Sequence, residues 1–402
     1  MTDSRPPSRT LRLGTRRSLL AQAQSSWVAR QLEAAHPGLH VELVGVETRG
    51  DAMLDVPLST APGREFFVAE LDAALLARQV DFAVHSHKDL SLDRPSALVL
   101  AATPRRADPR DAILFGPSTE SRLARRLPLR IGTGAPRRIE NLADFLPAAL
   151  PGPTPQPAPV FVPIRGNVDT RLSRVHLPES EERHLDGVVL ALAGLCRLAV
   201  SDAGRSRLAE LTRGVRWMVL PLRECPTAPA QGALAVECRA DDPEVRRLLA
   251  ALDHPPTARH VERERRVLAS WGGGCHLALG ATSFSTPDGG SVLHVRGRKP
   301  DGTPVAETRI DEPEAPTDTV TPPPGLEASS PFLFVAAAPR PGASPGTPER
   351  RVWAGDLGVW HALARSGTWV EGCAEGFGLP FVASILAEPV VRGLEPSART
   401  VP

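Results

Sequence analysis

Residues 80–89 read Val80-Asp81-Phe82-Ala83-Val84-His85-Ser86-His87-Lys88-Asp89, an apolar run that passes directly into a polar one. The apolar half predicts a buried strand. Before it, the pattern predicts a strand at 11–14, a helix at 19–35, a strand at 41–48 and a helix at 66–79. This β-α-β order favours an α/β sheet, in which ligands bind beyond the carboxyl ends of the strands. We therefore expect the polar residues 85–89 to lie at a binding edge.

A second α/β unit is predicted from about Asp111. Its strands are expected at 130–133, 160–164 and 187–192. Further along, the pattern predicts a strand at 233–237, a helix at 257–269 and a small antiparallel sheet near 281–310. A last helix is predicted at 351–364. The fold class is therefore α/β, with two lobes and a small α+β C-terminal domain.

Composition limits the classes of partner. The chain has 402 residues with a formal net charge of +1, only 4% aromatic residues and no Tyr, so it has no basic field or stacking surface for nucleic acid. No apolar stretch is long enough to span a bilayer, and the N-terminus lacks a signal-peptide pattern. Five scattered cysteines do not form a disulfide framework. We expect a cytoplasmic protein that binds neither nucleic acid nor membrane.

Arginine is concentrated where predicted strands end. Of 47 Lys plus Arg residues, only Lys88 and Lys299 are lysine. The strand-end arginines are Arg16, Arg17, Arg137, Arg138, Arg165, Arg171 and Arg197. Their guanidinium groups suit a polycarboxylate, whereas a phosphate is less favoured because no glycine-rich phosphate loop is present. Asp89 would lie among these cations, either as a simple ion-pair partner or as a carboxylate that stabilises positive charge on a substrate.

Cys275 follows three glycines in Trp271-Gly272-Gly273-Gly274-Cys275. The absence of side chains before the thiol would let a bulky group approach the sulfur. The alternative is a buried, inert cysteine after an ordinary turn. The other cysteines are Cys196, Cys225, Cys238 and Cys373, and no spacing among the five fits a structural zinc site.

The ordered motifs resemble those of the porphobilinogen deaminase (hydroxymethylbilane synthase) family from about residue 11 to 302. They are Gly14-Thr15-Arg16-Arg17-Ser18, Thr48-Arg49-Gly50-Asp51, His85-Ser86-His87-Lys88-Asp89, Asp108-Pro109-Arg110-Asp111, Gly132-Thr133, Arg137-Arg138, Arg165-Gly166-Asn167, Gln231-Gly232-Ala233 and Gly273-Gly274-Cys275. The resemblance implies two lobes with mixed sheets, like those of type II periplasmic binding proteins, and a small third domain. The implied boundaries are 8–106 with 227–250 for domain 1, 107–226 for domain 2 and 251–402 for domain 3.

The resemblance also implies a function, a transferase of tetrapyrrole (heme) biosynthesis. Such an enzyme deaminates porphobilinogen and joins four molecules head to tail on a dipyrromethane cofactor, releasing hydroxymethylbilane and ammonia. Matching positions make Asp89 the catalytic carboxylate and Cys275 the thioether attachment point. Residues matching cofactor- and substrate-binding positions are Arg16, Ser18, Ser86, Lys88, Thr133, Arg137, Arg138, Arg165, Arg171, Arg197 and Phe67. The resemblance further implies a monomer that passes its product to uroporphyrinogen-III synthase.

The chain departs from the family pattern at several positions. Gly134 and Ala135 replace two serines, Glu65 introduces an acid in the loop at 59–66, His87 replaces a frequent Met as a packing variant, and Ala230 replaces a usual Gly. These changes leave open an alternative, a non-catalytic two-lobed protein that binds a small polycarboxylate. A cysteine hydrolase using His276 is a weaker alternative, because no third group orients the histidine. The segment after about residue 313 exceeds what the family needs, and it is either an elaborated third domain or a partner-binding extension.

Overall fold

The computed structural model describes residues 9–47, 68–274, 277–311, 331–338 and 350–393. Residue contacts divide the chain into two compact units. The first comprises Met1–Pro109 and Pro229–Cys275, and the second comprises Arg110–Ala228 and His276–Pro402. The chain therefore leaves the first unit and later returns to it. The division into three domains stays a prediction.

The first unit is built on a five-stranded mixed sheet of order β2-β1-β3-β10-β4. Strands β1 to β3 run parallel, whereas β10 is antiparallel to both β3 and β4. Leu13, Phe82 and Val236 from this sheet pack against Val28 and Leu32 of the first helix. The strands are β1 (Arg9–Arg16), β2 (Leu39–Val46), β3 (Phe82–Ser86), β4 (Leu98–Ala102) and β10 (Leu234–Arg239). The helices are α1 (Leu19–Ala35), α2 (Ala69–Leu76), α8 (Pro243–Leu249) and α9 (Pro255–Ser270).

The second unit repeats this pattern in a sheet of order β7-β6-β8-β5-β9. Here β7, β6 and β8 run parallel, and β5 is antiparallel to β8 and β9. Two α/β lobes with mixed sheets are therefore confirmed. The strands are β5 (Asp111–Phe115), β6 (Arg130–Gly132), β7 (Val160–Val162), β8 (Gly187–Ala191) and β9 (Arg216–Val219). The helices are α3 (Thr119–Ala124), α4 (Pro136–Ala149), α5 (Val168–Leu172), α6 (Leu192–Leu198) and α7 (Asp202–Leu211).

The predicted small antiparallel sheet is confirmed as part of the second unit. It consists of β11 (Ala278–Ser285), β12 (Ser291–Arg298) and β13 (Pro304–Asp311). The hydroxyl of Thr282 on β11 accepts a hydrogen bond of 2.7 Å from the backbone N–H of Thr227. This sheet is thereby joined to the segment that leads back to the first unit.

The prediction of a last helix at 351–364 is wrong in its first half. Arg351–Ala354 is a strand, β15, which lies parallel to β14 (Phe332–Val335) and β16 (Val370–Cys373). Helix α10 (Leu357–Arg365) begins only after Asp356, whose carboxylate caps the N–H of Val359 at 2.8 Å. Short apolar runs such as Val352-Trp353-Ala354 lack alternation when both faces are buried, so periodicity cannot distinguish strand from helix there. Two short helices follow, α11 (Pro380–Ala387) and α12 (Pro389–Arg392).

The described part of the C-terminal segment belongs to the hydrophobic core of the second unit. Trp360 and Leu363 are completely buried in the same core as Phe115. The indole N–H of Trp360 donates to the carbonyl of Ala149 at 3.0 Å. The carboxylate of Glu375 accepts the backbone N–H groups of residues 222 and 223, each at 2.8 Å. These contacts make the described part of the segment an integral part of the second unit, and partner binding stays untested. Among the described residues, no helix is both long and apolar enough to cross a membrane.

Candidate active site

Asp89 lies in a single 3-10 turn, His87–Asp89, that directly follows β3. The strand continues to Ser86, two residues beyond its predicted end, so His85 and Ser86 belong to the sheet. The backbone N–H of His87 donates to the carbonyl of Ala233 at 3.1 Å, which extends the pairing with β10 into the turn. The side chain of Asp89 is exposed, and no hydrogen bond or ion pair with another described residue engages its carboxylate. The turn thus presents a carboxylate that is open to a ligand.

Lys88 is oriented by a chain of polar contacts within the first unit. Its Nζ donates to Oε1 of Gln231 at 3.2 Å. The Nε2 of Gln231 donates to the carbonyl of Pro109 at 2.8 Å, and its own carbonyl accepts Nε of Arg106 at 2.7 Å. The motif Gln231-Gly232-Ala233 does not by itself predict this contact, in which Gln231 holds the ammonium group one residue before Asp89.

The predicted binding residues Arg16, Ser18 and Ser86 lie at the same edge of the first sheet. Strands β1 and β3 are parallel and in contact, so their carboxyl ends share that edge. The hydroxyl of Ser18 caps helix α1 by accepting the N–H of Ala21 at 3.3 Å. The hydroxyl of Ser86 accepts Nε2 of Gln24 at 3.4 Å. Ligand binding by these three residues stays a prediction.

Two buried histidines flank this edge without titrating near neutrality. Burial, with the charges of Arg94 and Arg16 in second place, lowers the pKa of His85 to about 3. Burial, with Arg265 and Arg106, lowers the pKa of His87 to about 3 as well. Both imidazoles are therefore neutral near pH 7, so neither is a general acid there. For His87, this agrees with the packing interpretation.

One group of side chains in the first unit has metal-ligand chemistry. Ligand atoms of Asp72, His85 and Glu237 lie within 4.8 Å of one another. The guanidinium of Arg94 already bridges the two carboxylates, with Nη2 at 2.7 Å from each. Because the guanidinium of Arg94 already balances the negative charge of these two carboxylates, we assign no metal to the group.

In the second unit, Arg137 and Arg138 converge on one buried carboxylate. Nη1 of Arg137 lies 2.8 Å from Oδ2 of Asp111, and Nη2 of Arg138 lies 2.6 Å from Oδ1. Arg138 also donates to the carbonyl of Val189 at 3.1 Å. Burial alone would raise the pKa of Asp111, but the two guanidinium charges hold that pKa well below its usual value. Both predicted ligand-binding arginines thus share a protein partner, and their binding to a ligand stays a prediction.

Replacing Asp111 with asparagine is expected to lower the free energy of unfolding by about 3–5 kcal/mol at pH 7, because two buried guanidinium groups lose their counter-charge. Asp111 has a depressed folded-state pKa, so its contribution is complete above the unfolded pKa of about 4 and declines as the pH falls below it. Urea unfolding should therefore show that the variant and the unmodified protein differ less in their free energy of unfolding at pH 3 than at pH 7. Asp144→Asn is the control, since that carboxylate is 78% exposed. A pH-independent difference would contradict the expectation.

The other four predicted binding residues of the second unit differ in burial and in their hydrogen-bond partners. Thr133 is buried, and its hydroxyl accepts the N–H of Ala135 at 3.3 Å. Nη2 of Arg165 is buried and has no hydrogen-bond partner among the described residues. Nε of Arg171 donates to the carbonyl of Gly166 at 2.7 Å. Burial lowers the pKa of Arg197 to about 10, so this group is a partly desolvated cation at neutral pH. Carboxylate binding by these four residues stays a prediction.

The glycine run adopts a backbone that only glycine accommodates easily. Helix α9 ends at Ser270, and Gly272, Gly273 and Gly274 have φ angles of 85°, 68° and 125°. Side-chain-bearing residues rarely take such values, and an added Cβ at Gly272 would meet no atom within 4 Å. The backbone conformation of this run therefore favours glycine at all three positions.

Several predicted features lie outside the described residues. These are Cys275, His276, Phe67, the motif at 48–51 and the loop at 59–66. The four described cysteines are free thiols. Burial raises the pKa of Cys238 to about 11 and of Cys373 to about 12, and it also raises the pKa of Cys225. Cys196 is only partly buried. Three of these four thiols are therefore poor nucleophiles.

One arginine that the sequence analysis did not select contacts the Asp89 segment. Nη1 of Arg265 on helix α9 donates to the carbonyl of Leu90 at 3.1 Å, and Nη2 donates to that of Ser91 at 2.8 Å. Helix α9 has mixed charges along its length, so nothing in its pattern distinguishes Arg265 from its neighbours.

Comparison with known proteins gives consistent matches. The profile of the family described as "Porphobilinogen deaminase, dipyromethane cofactor binding domain" matches residues 11–247. The porphobilinogen deaminase of Trichlorobacter lovleyi is 41% identical over 271 residues, which are 67% of this chain and 78% of that protein. The porphobilinogen deaminase of Acidothermus cellulolyticus is 43% identical over 284 residues, covering 69% and 76%. That of Syntrophus aciditrophicus is 37% identical over 289 residues, covering 71% and 84%.

Proposed function

The chain belongs to the porphobilinogen deaminase family, and we propose that Asp89 is the catalytic carboxylate with which it performs the family's reaction. The enzyme is a transferase that joins four porphobilinogen molecules head to tail and releases hydroxymethylbilane and ammonia. The observation that carries the assignment to Asp89 is its exposed carboxylate, which no other described residue engages, on a turn anchored to the sheet. Family membership does not favour a non-catalytic binding protein.

The chemistry of the reaction explains the residue types. Loss of ammonia from porphobilinogen leaves positive charge on the pyrrole system. An ionised carboxylate beside the pyrrole N–H accepts its hydrogen bond and stabilises that charge. Asp89 would do this in the first unit, where Arg16 and Lys88 provide cations at the same sheet edge for the acetate and propionate groups of the substrate.

The family's cofactor is a dipyrromethane, which when bound supplies the pyrrole end to which substrate units are joined. It is a polycarboxylate, so guanidinium groups are suitable partners for it. Support for carboxylate binding in the second unit comes from Arg165, which has a buried donor atom without a described partner, and from Arg197, whose pKa is lowered by burial. We propose that these two residues, with Arg137, Arg138 and Arg171, bind carboxylates. A guanidinium has five N–H donors, so those that contact Asp111 keep capacity for a ligand.

The attachment point is proposed from the matching motif and its local conformation. The three left-handed glycines end one residue before Cys275. Of the four described cysteines, three are buried thiols with raised pKa values. We propose that Cys275 forms the thioether and that Phe67 stacks beside the substrate.

We also propose that the protein is a cytoplasmic monomer that passes its product to uroporphyrinogen-III synthase. Support for the compartment comes from the thiols, because all four described cysteines are free, as expected in a reducing environment. The hand-off follows from the product, a reactive linear tetrapyrrole that a second enzyme must close.

The function is tested by incubating the full chain with porphobilinogen. We expect one hydroxymethylbilane and four ammonia molecules for every four porphobilinogen molecules consumed, as measured by chromatography and an ammonia assay. Binding of porphobilinogen without release of ammonia would support the binding-protein alternative instead.

A further inference from the structure

Arg265 contacts the backbone on both sides of Asp89. Its Nη1 lies 3.1 Å from the carbonyl oxygen of Leu90 and 3.5 Å from that of His87, and its Nη2 lies 2.8 Å from that of Ser91. Burial lowers the pKa of Arg265, while Glu237 acts in the opposite direction. A guanidinium stays protonated at neutral pH, so these are charge-assisted hydrogen bonds.

The guanidinium group of Arg265 contacts three backbone carbonyls and thereby restricts the backbone conformation of residues 87–91. The guanidinium presents its donors in a rigid fork, so the carbonyl oxygens of residues 87, 90 and 91 must keep a set separation. Asp89 lies between them, and no other described side chain engages its carboxylate. The position of that carboxylate therefore depends on the backbone of its own turn.

Arg265 also connects this turn to the helix that precedes the attachment segment. It lies on α9, which ends at Ser270, and Cys275 follows five residues later in the sequence. The preceding residue, Glu264, is completely buried and ion-paired with Arg106 at 2.6 Å, which anchors the helix. Arg265 thus extends from a fixed element.

We propose that Arg265 is a positioning residue of the reaction. It holds the Asp89 turn against helix α9 and thereby places the carboxylate where it can accept the pyrrole N–H of the substrate. This inference rests on the proposed function. Arg265 acts through backbone carbonyls and is not required to touch the substrate. Misplacement of a reacting group by about 1 Å costs on the order of 10²-fold in rate, which sets the size of the effect.

The first test compares Arg265→Met with Arg266→Met. Arg266 is the matched control, because its side chain is 74% exposed and its ion-pair partner among the described residues is Glu262 on the same helix. We expect Arg265→Met to lower kcat by about 10²-fold with little change in KM. Arg266→Met should match the unmodified protein. The mass increment of each variant above the mass calculated from its own sequence, which reports cofactor loading, should be unchanged. If Arg265→Met does not fold, Arg265→Lys replaces it, and its single ammonium should restore only part of the rate.

The second test is a double-mutant cycle with Asp89→Asn, measured by single-turnover mass analysis of protein that already bears the adduct. If Arg265 acts by placing the Asp89 carboxylate, its loss in the Asp89→Asn background should add no more than about 3-fold. A full additional 10²-fold loss, or unchanged kcat in Arg265→Met, would overturn the inference. Failure of the unmodified protein and of Arg266→Met to make the bilane would instead count against the proposed function.

Discussion

Replacement of Cys275 by alanine is expected to abolish the covalent mass increment that two deaminated porphobilinogen units add to the protein. The thiolate is the nucleophile in thioether formation, and alanine has no atom that can replace it. Without the tethered cofactor, bilane formation should fall to background. The protein should still fold, because the left-handed glycines before this position are unchanged.

The measurement is intact-protein mass after expression, followed by a porphobilinogen consumption assay. Cys196→Ala is the matched control, because Cys196 is the described cysteine that is not fully buried. It should keep both the mass increment and turnover. Alanine is preferred to serine at position 275, since a hydroxyl could retain partial function. Persistence of the increment in Cys275→Ala would show that another group holds the cofactor.

Replacement of Asp89 by asparagine is expected to lower turnover by about 10²- to 10⁴-fold, the range for a group that moves protons or stabilises charge in the transition state. Asparagine keeps the shape of the side chain and removes the negative charge. Stability should change little, because the side chain is exposed and no described residue pairs with it.

The rate of bilane formation and the urea unfolding curve are measured on the same preparations. Asp93→Asn is the control, because Asp93 is also exposed and lies only four residues further along the chain. Its turnover should match that of the unmodified protein. Near-normal turnover in Asp89→Asn would remove Asp89 from the catalytic role.

The elements near the candidate site could be predicted because their signals are local. Helix α1 spans Leu19–Ala35 as predicted, and its periodicity and Ser18 cap lie within one sequence window. The sequence indicates an open approach to a thiol, or an ordinary turn, at the glycine run, and the structure adds three consecutive positive φ angles there. Ala230, which replaces a usual glycine, likewise has a φ of 66°. The pattern predicts helix at Arg351–Ala354, where the structure has a strand, because the strands that pair with it lie elsewhere in the chain.

The sequence by itself determined the family, the α/β lobes and the chemistry available at Asp89 and Cys275, since these depend on residue type, motif order and local backbone preference. Only the tertiary structure decided which charges meet. It placed Arg137 and Arg138 on Asp111, which precedes them by 26 and 27 positions. It also brought Arg265 to Leu90 across 175 positions. Such contacts arise from the packing of distant elements, and no local window of sequence contains both partners.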